Sequence, residues 1–323
     1  MFELIFNWLQ ADILQISAQL LEASNRLFWA YLLAAGLAAL IISGSISYLF
    51  HRRIWWHASA RCDYWLFIIN RFIRFAVIAP LLFSSVPIAI FIYDVIKGFN
   101  GPAQMGGYAS HSALGFTLIF FILDDLSRFL LHFCLHKMPL LWCFHKVHHS
   151  ATVLTPMTIF RSHPIETLLY ASRMTLVQGI ALGLSMALWG TNISLIDIMG
   201  VNAFIFAFNL AASNLRHSHV WLRWPTWLQY IVICPAQHQL HHQRNRTPQP
   251  VNLGTCLAVW DWLSGTLSIA AKNKPGRFAF GLNHKENKQA LKLSALYFEP
   301  FKTSGKLVYK RFQHCLNCVK FKA

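Results

Sequence analysis

Five stretches of this chain are apolar over lengths close to the about 20 residues that cross a hydrocarbon core. They are Leu27–Phe50, Phe75–Tyr93, Ala113–Leu131, Leu168–Trp189 and Ile193–Ala212. Lipid offers a backbone no hydrogen-bond partners, so segments of this kind are predicted as helices, and spanning helices tolerate prolines such as Pro80 and Pro87. The composition agrees. Only 12% of residues are charged and 55% are hydrophobic, against about a quarter charged in a soluble domain. That excludes a disordered chain and disfavours an ordinary soluble globule. The expected fold is all-α, a multi-pass transmembrane bundle.

Charge placement orients the spans. Arg52, Arg53, Arg61, Arg71 and Arg74 follow the first span, and twelve Lys or Arg lie between Lys272 and the end, against Glu286 and Glu299. Lys and Arg concentrate on the cytoplasmic side. Residues 51–74, 132–166 and 214–323 are therefore expected in the cytoplasm. Residues 1–26, 97–112 and the Thr191-Asn192 link are expected outside. Residues 1–26 read as an interfacial amphipathic helix and lack the basic start of a signal peptide. Residues 27–112 hold the first spans, 113–269 a catalytic domain, and 270–323 a basic cytoplasmic tail. The net charge of +16 suits a face next to anionic lipid. No nucleic-acid-binding motif accompanies it. The seven cysteines do not make a disulfide framework.

The histidines carry the chemistry. Three groups occur on the expected cytoplasmic side: His132 with His136, His145 with His148 and His149, and His238 with His241 and His242. With 16 histidines in 323 residues, one HxxHH arises by chance roughly 0.04 times, and this chain has two. Residues three and four apart share a helix face, so each group can aim its rings at one locus. Imidazole suits zinc, copper, iron and nickel. One zinc takes three or four ligands, so eight to ten histidines fit two metals better than one. A histidine-rich di-metal cap with open positions suits O₂ activation by iron. The chain has no dinucleotide fingerprint after a strand and no haem-attachment motif, so electrons would come from another protein; it also lacks the HExxH motif of a zinc hydrolase.

Asp124-Asp125 through His132, Leu141-Trp142 through Ser150, Leu154-Thr155-Pro156, Arg161-Ser-His163-Pro164-Ile-Glu166, Arg216-His217-Ser-His219, Pro235 through His242 and Trp260-Asp261-Trp262 together resemble the fatty acid hydroxylase superfamily, also called the sterol desaturase family. The resemblance covers about residues 113–267. It implies an integral membrane di-iron oxidoreductase that uses O₂ and reducing equivalents to hydroxylate or desaturate a lipid, with an electron-transfer protein as partner. It assigns metal binding to His132, His136, His145, His148, His149, His238, His241 and His242, with His217 in the place of a further ligand. One departure stands out. Many relatives have an acidic residue soon after the third box, whereas here Gln243 to Pro250 contains none.

Other residues stay open. His219 and His163 could be ligands or could orient one. Asp124 and Asp125 could accept from a ligating imidazole, or pair with Arg128 one helical turn away. Glu166 and Asp261 are further outer candidates, and Arg161 could pair with one of them. The competing reading is a membrane lipid-binding scaffold that keeps the fold without catalysis.

Overall fold

A computed structural model describes residues 18–100, 109–190, 193–244, 250–276 and 278–320. The expected interfacial helix over 1–26 falls mostly outside these residues, as does the Thr191-Asn192 link. The chain forms two compact units, each assembled from three separate segments. The first takes residues up to Leu49, Ser84–Asp124 and Leu176–Arg216. The second takes Phe50–Phe83, Asp125–Thr175 and His217–Ala323.

In the first unit, the helix Trp29–Ser43 stops where Gly44 adopts φ 65° and returns its N–H to the Leu40 carbonyl. Glycine takes that left-handed backbone without a Cβ clash. The next helical run starts at Ile46 and turns away by 119°, so the expected span Leu27–Phe50 is broken in its second half. Ala23, Phe28 and Tyr31 form a buried cluster, with Val201 and Phe206 packed on it.

The expected span Ile193–Ala212 is not one helix. Asp197–Ile198 and Val201–Asn202 pair as a two-stranded antiparallel hairpin, a departure from an all-helical chain. Met199 and Gly200 both take positive φ, as the tight turns of hairpins require, and the Asp197 carboxylate accepts from the Gly200 N–H. Asn202 then caps the helix Ala203–Phe208 and donates to the Thr117 carbonyl. Average hydropathy does not register these turn-forming residues.

In the second unit, helix runs continuously over Ala58–Leu81, with a π turn at Arg74–Ile78 just before Pro80. Proline supplies no N–H to the helical ladder, and the helix ends one residue later. A new helix begins at Val86. The expected span Phe75–Tyr93 is therefore the end of one helix and the start of another, and part of the expected cytoplasmic segment 51–74 lies in a spanning-length helix. Among the described residues, Ala58–Leu81 and Pro164–Trp189 are long and apolar enough to cross a membrane, and the bent pair starting at Trp29 makes up to three. These helices mark a membrane protein. Ala113–Leu131 lies inside a single helix, Ala109–Lys137, of 29 residues.

Candidate metal centre

All three histidine boxes lie in the second unit. His132 and His136 sit in the last turns of Ala109–Lys137. The second box ends the helix Pro139–His149, whose Pro139 occupies the first turn, where its missing N–H costs nothing. The third box ends the helix Pro235–His241, which Cys234 and Gln237 cap reciprocally. Each box is thus at a helix C-terminus, the end whose partial negative charge favours a cation.

The rings sort into two groups. His132, His136, His145, His149 and His241 bring one nitrogen each to within 4.8 Å of one another, and so do His148, His217, His238 and His242. The partition follows helical geometry. His132/His136, His145/His149 and His238/His242 are i,i+4 pairs that stay together on one face. His148 and His149 are adjacent in sequence, about 100° apart around the helix, and go to different groups. His241 and His242 do the same.

Outward-facing ring nitrogens have defined partners. His132 Nδ1 donates to the Leu253 carbonyl at 2.8 Å, His241 Nδ1 to the Val251 carbonyl at 2.8 Å and His148 Nδ1 to the Arg161 carbonyl at 3.3 Å. His145 Nδ1 meets the Glu166 carboxylate at 3.0 Å. A carbonyl can only accept, so Nδ1 carries the proton and a neutral ring has a bare Nε2 facing inward. The inward Nε2 atoms approach closely: His132 to His145 at 3.2 Å, His145 to His136 at 3.1 Å, and His217 to His238 at 3.0 Å. His132 and His145, whose Nδ1 atoms are engaged, thus bring two bare nitrogens to that distance; such a pair repels, and a cation between them turns repulsion into coordination. Two nitrogens each about 2.1 Å from one ion and at right angles stand about 3 Å apart, so the donor set fits a metal in each group.

Burial and the neighbouring imidazoles hold His136, His145, His149 and His242 well below the ordinary histidine range. These rings are neutral near pH 7, the form that binds metal. An unfolded histidine takes its proton near pH 6.5 while these folded rings do not. The unfolded chain therefore binds more protons as pH falls below about 6.5, and stability drops. Metal-stripped protein is expected to melt at progressively lower temperature as pH is lowered through that value in detergent. A melting temperature flat across that range contradicts the assignment of neutral rings.

Of the nine rings, only His136 is partly exposed. Trp142 lies beside it, with ring centroids 5.1 Å from His136 and 5.4 Å from His149. This indole walls the accessible edge of the five-histidine group, a role its position within the second box did not announce.

The structure keeps the other candidates out of both groups. His163 donates from Nε2 to the Tyr297 carbonyl and accepts the Ile165 N–H at Nδ1, so it caps a helix start. His219 is partly exposed and joins neither group. Asp124 is buried in the first unit and also joins neither. Asp125 accepts from the Cys256 and Leu257 N–H groups and the Trp260 indole. Asp261 accepts from the N–H groups of Leu253 and Gly254. Both aspartates hold the 251–257 loop, whose carbonyls in turn orient His132 and His241. These bonds place both carboxylates in support of the loop behind the two rings. Asn252 sits in this loop at φ 54°, which asparagine tolerates better than most residues, and donates to the Gln237 and Ser268 carbonyls. At Gly254 a Cβ would stand 2.5 Å from the Leu257 carbonyl oxygen, so only glycine fits. Arg161 pairs with Asp63 at 2.8 Å, not with Glu166 or Asp261.

The Glu166 carboxylate faces a box histidine, His145. Removing such a partner typically weakens metal binding 10- to 100-fold. Glu166→Ala is expected to lose iron affinity in about that range, and Glu166→Gln, which keeps an acceptor, to lose less; competition with a chelator measures both.

Residues 117–266 match the family model described as fatty acid hydroxylase. These residues therefore form a fatty acid hydroxylase domain. Members of that family generally depend on iron and O₂. The chain is similar to an alkylglycerol monooxygenase of Homo sapiens, with 25% identity over 64% of this chain and 40% of the relative. It is also similar to the ornithine lipid hydroxylase OlsE of Rhizobium tropici, with 28% identity over 57% and 50%. A third relative is the very-long-chain aldehyde decarbonylase GL1-1 of Oryza sativa subsp. indica, with 27% identity over 42% and 21%. The chain thus spans half or less of the length of these relatives. No solved structure matches it.

Proposed function

We propose that this protein is a membrane-embedded di-iron oxidoreductase that uses O₂ and reducing equivalents to hydroxylate or desaturate a lipid. The observation that carries the reading is the division of nine converging histidines into groups of five and four. Imidazole donors admit iron among other first-row metals, and the family's general dependence on iron and O₂ favours it here. The names of the relatives, two lipid monooxygenases or hydroxylases and a long-chain aldehyde decarbonylase, support a lipid substrate.

Bound iron would supply the reductive activation of O₂. The chain's own residues do the rest. Leu253, Val251, Arg161 and Glu166 fix the tautomers and ring planes of four ligands. Buried neutral rings keep protons off the metal-facing nitrogens. Trp142 offers an apolar wall where a lipid chain reaches the edge beside His136. Inserting one oxygen atom of O₂ into a C–H bond and releasing the other as water consumes two electrons and two protons. The chain carries no dinucleotide fingerprint, so an external electron-transfer protein completes the balance. The charge pattern supports boxes and C-terminus on the cytoplasmic side and the N-terminus outside.

The test is to purify the protein, measure iron per chain, and follow O₂-dependent product formation by lipidomics of a deletion strain against a complemented one. Iron near two per chain with an oxidised lipid restored by complementation supports the proposal. Iron near zero with an unchanged lipid profile favours a non-catalytic scaffold.

A further inference from the structure

The C-terminal segment is built rather than a mere basic tail. Its helix Leu293–Lys320 has 28 residues, long enough to cross a bilayer, yet it is not among the helices apolar enough to do so. Its start is fixed in the second unit. Leu296 is buried with Cys62 and Leu66, and Leu293 and Tyr297 pack against that cluster. Tyr297 donates its hydroxyl to Asn70 at 2.9 Å. Cys62 and Leu66 lie in the first half of the spanning-length helix Ala58–Leu81, and Asn70 lies at its middle. The C-terminal helix therefore begins beside the end at which that span starts.

Beyond this anchor the apolar side chains are uncovered. Phe298, Phe301, Val308, Tyr309 and Phe312 are each at least half exposed. At about 100° per residue they fall within an arc of roughly 100°, the width of a single apolar stripe. Lys302, Lys306 and Lys310 recur every four residues along one flank of that stripe, and Arg311 lies on the other; all four are exposed. An aromatic stripe bordered by cations on a helix too polar to span is the pattern of a helix lying in a membrane interface. Its cations match the negative charge of anionic headgroups.

We infer that Leu293–Lys320 lies in the plane of the bilayer surface, with the Phe298–Phe312 stripe among the acyl chains and Lys302, Lys306, Lys310 and Arg311 on anionic headgroups. The inference does not depend on the metal or on catalysis. Its structural consequence concerns the second histidine box. Phe301 packs on Phe144 at 5.4 Å and on His163 at 5.1 Å, so the same helix ties the box helix Pro139–His149 to the membrane surface.

The experiment uses the full chain in nanodiscs, with the photo-crosslinking residue p-benzoylphenylalanine placed at Phe312 or Val308 and, as controls, at Lys306 or Lys310. In phosphatidylcholine containing about one-third phosphatidylserine, lipid adducts are expected to be several-fold more abundant from 308 and 312 than from 306 and 310. Changing Lys302, Lys306, Lys310 and Arg311 together to glutamine, or using phosphatidylcholine alone, should reduce the 312 adduct several-fold. Iron content and size-exclusion profile, unchanged in the variants, serve as the folding control. Chain-to-chain adducts from 312 would assign the stripe to a second copy and overturn the inference. So would equal lipid adducts at all four positions, or a 312 adduct insensitive to both charge changes.

Discussion

Replacing His145 with alanine is expected to halve bound iron, from about two ions per chain to about one, and to lower O₂-dependent lipid oxidation by at least two orders of magnitude. The first expectation comes from the partition. His145 belongs to the five-histidine group, where its Nε2 approaches both His132 and His136, and it takes no part in the group of four. The second comes from the chemistry proposed for two ions acting on one O₂, to which a single remaining ion is not equivalent. His217→Ala is the reciprocal experiment. His217 is the hub of the second group, with its Nε2 at 3.0 to 3.2 Å from those of His148, His238 and His242. Its loss should empty that group and spare the first. Elemental analysis alongside product formation checks both variants. Full activity in either, or two ions retained in both, sinks the di-iron reading.

Arg161→Ala is expected to destabilise the protein by about 3–5 kcal/mol, the usual result of breaking a buried ion pair on one side. Both members of the pair are fully buried: the Arg161 and Asp63 side chains have 0% exposure. The guanidinium also donates to the Val147 carbonyl and the Ser150 hydroxyl at the end of the second-box helix, and to the Ala290 carbonyl. Asp63 accepts from Thr158 as well. Removing the arginine leaves a buried carboxylate without its cation and takes a donor from the Val147, Ser59 and Ala290 carbonyls. Asp63→Asn leaves the cation without its charge partner while keeping a polar acceptor, so its loss should be smaller. Thermal unfolding in detergent, with metal content measured in parallel, separates the two. The Arg161 side chain also anchors the backbone whose carbonyl holds His148, so the alanine variant, which keeps that carbonyl but not its anchor, should lose metal from the four-histidine group before the other. A melting temperature equal to that of the parent refutes the pair's structural role.

Much of the site was legible in the order of residues. Three boxes with i,i+3 and i,i+4 spacing announce convergent imidazoles, and the i,i+4 pairs even contain the rule by which the groups divide. What remained hidden was everything contributed by the backbone. The carbonyls of Leu253, Val251 and Arg161 are invisible to any motif, since every residue has one. Asp63 lies 98 residues from Arg161, and nothing local links them. That aspartates 125 and 261 accept from the N–H groups of one loop is likewise absent from any local pattern.

The membrane spans show the same divide. Hydropathy correctly marks a bilayer protein, because transfer of apolar surface is additive along the chain and needs no knowledge of the fold. Where a helix starts and stops depends on single residues: Gly44 with its positive φ, Pro80 with its missing N–H, and Met199-Gly200 at a hairpin turn. Window averages blur these. The sequence by itself determined a membrane solvent, helical elements and a histidine-rich metal chemistry, since each follows from composition or spacing over a few turns. Only the tertiary structure decided which histidines converge in one group, which groups orient them, and that the basic C-terminus is a helix anchored beside a span. Those are contacts between residues far apart in the chain, and the geometry that brings them together exists only once the second unit is packed.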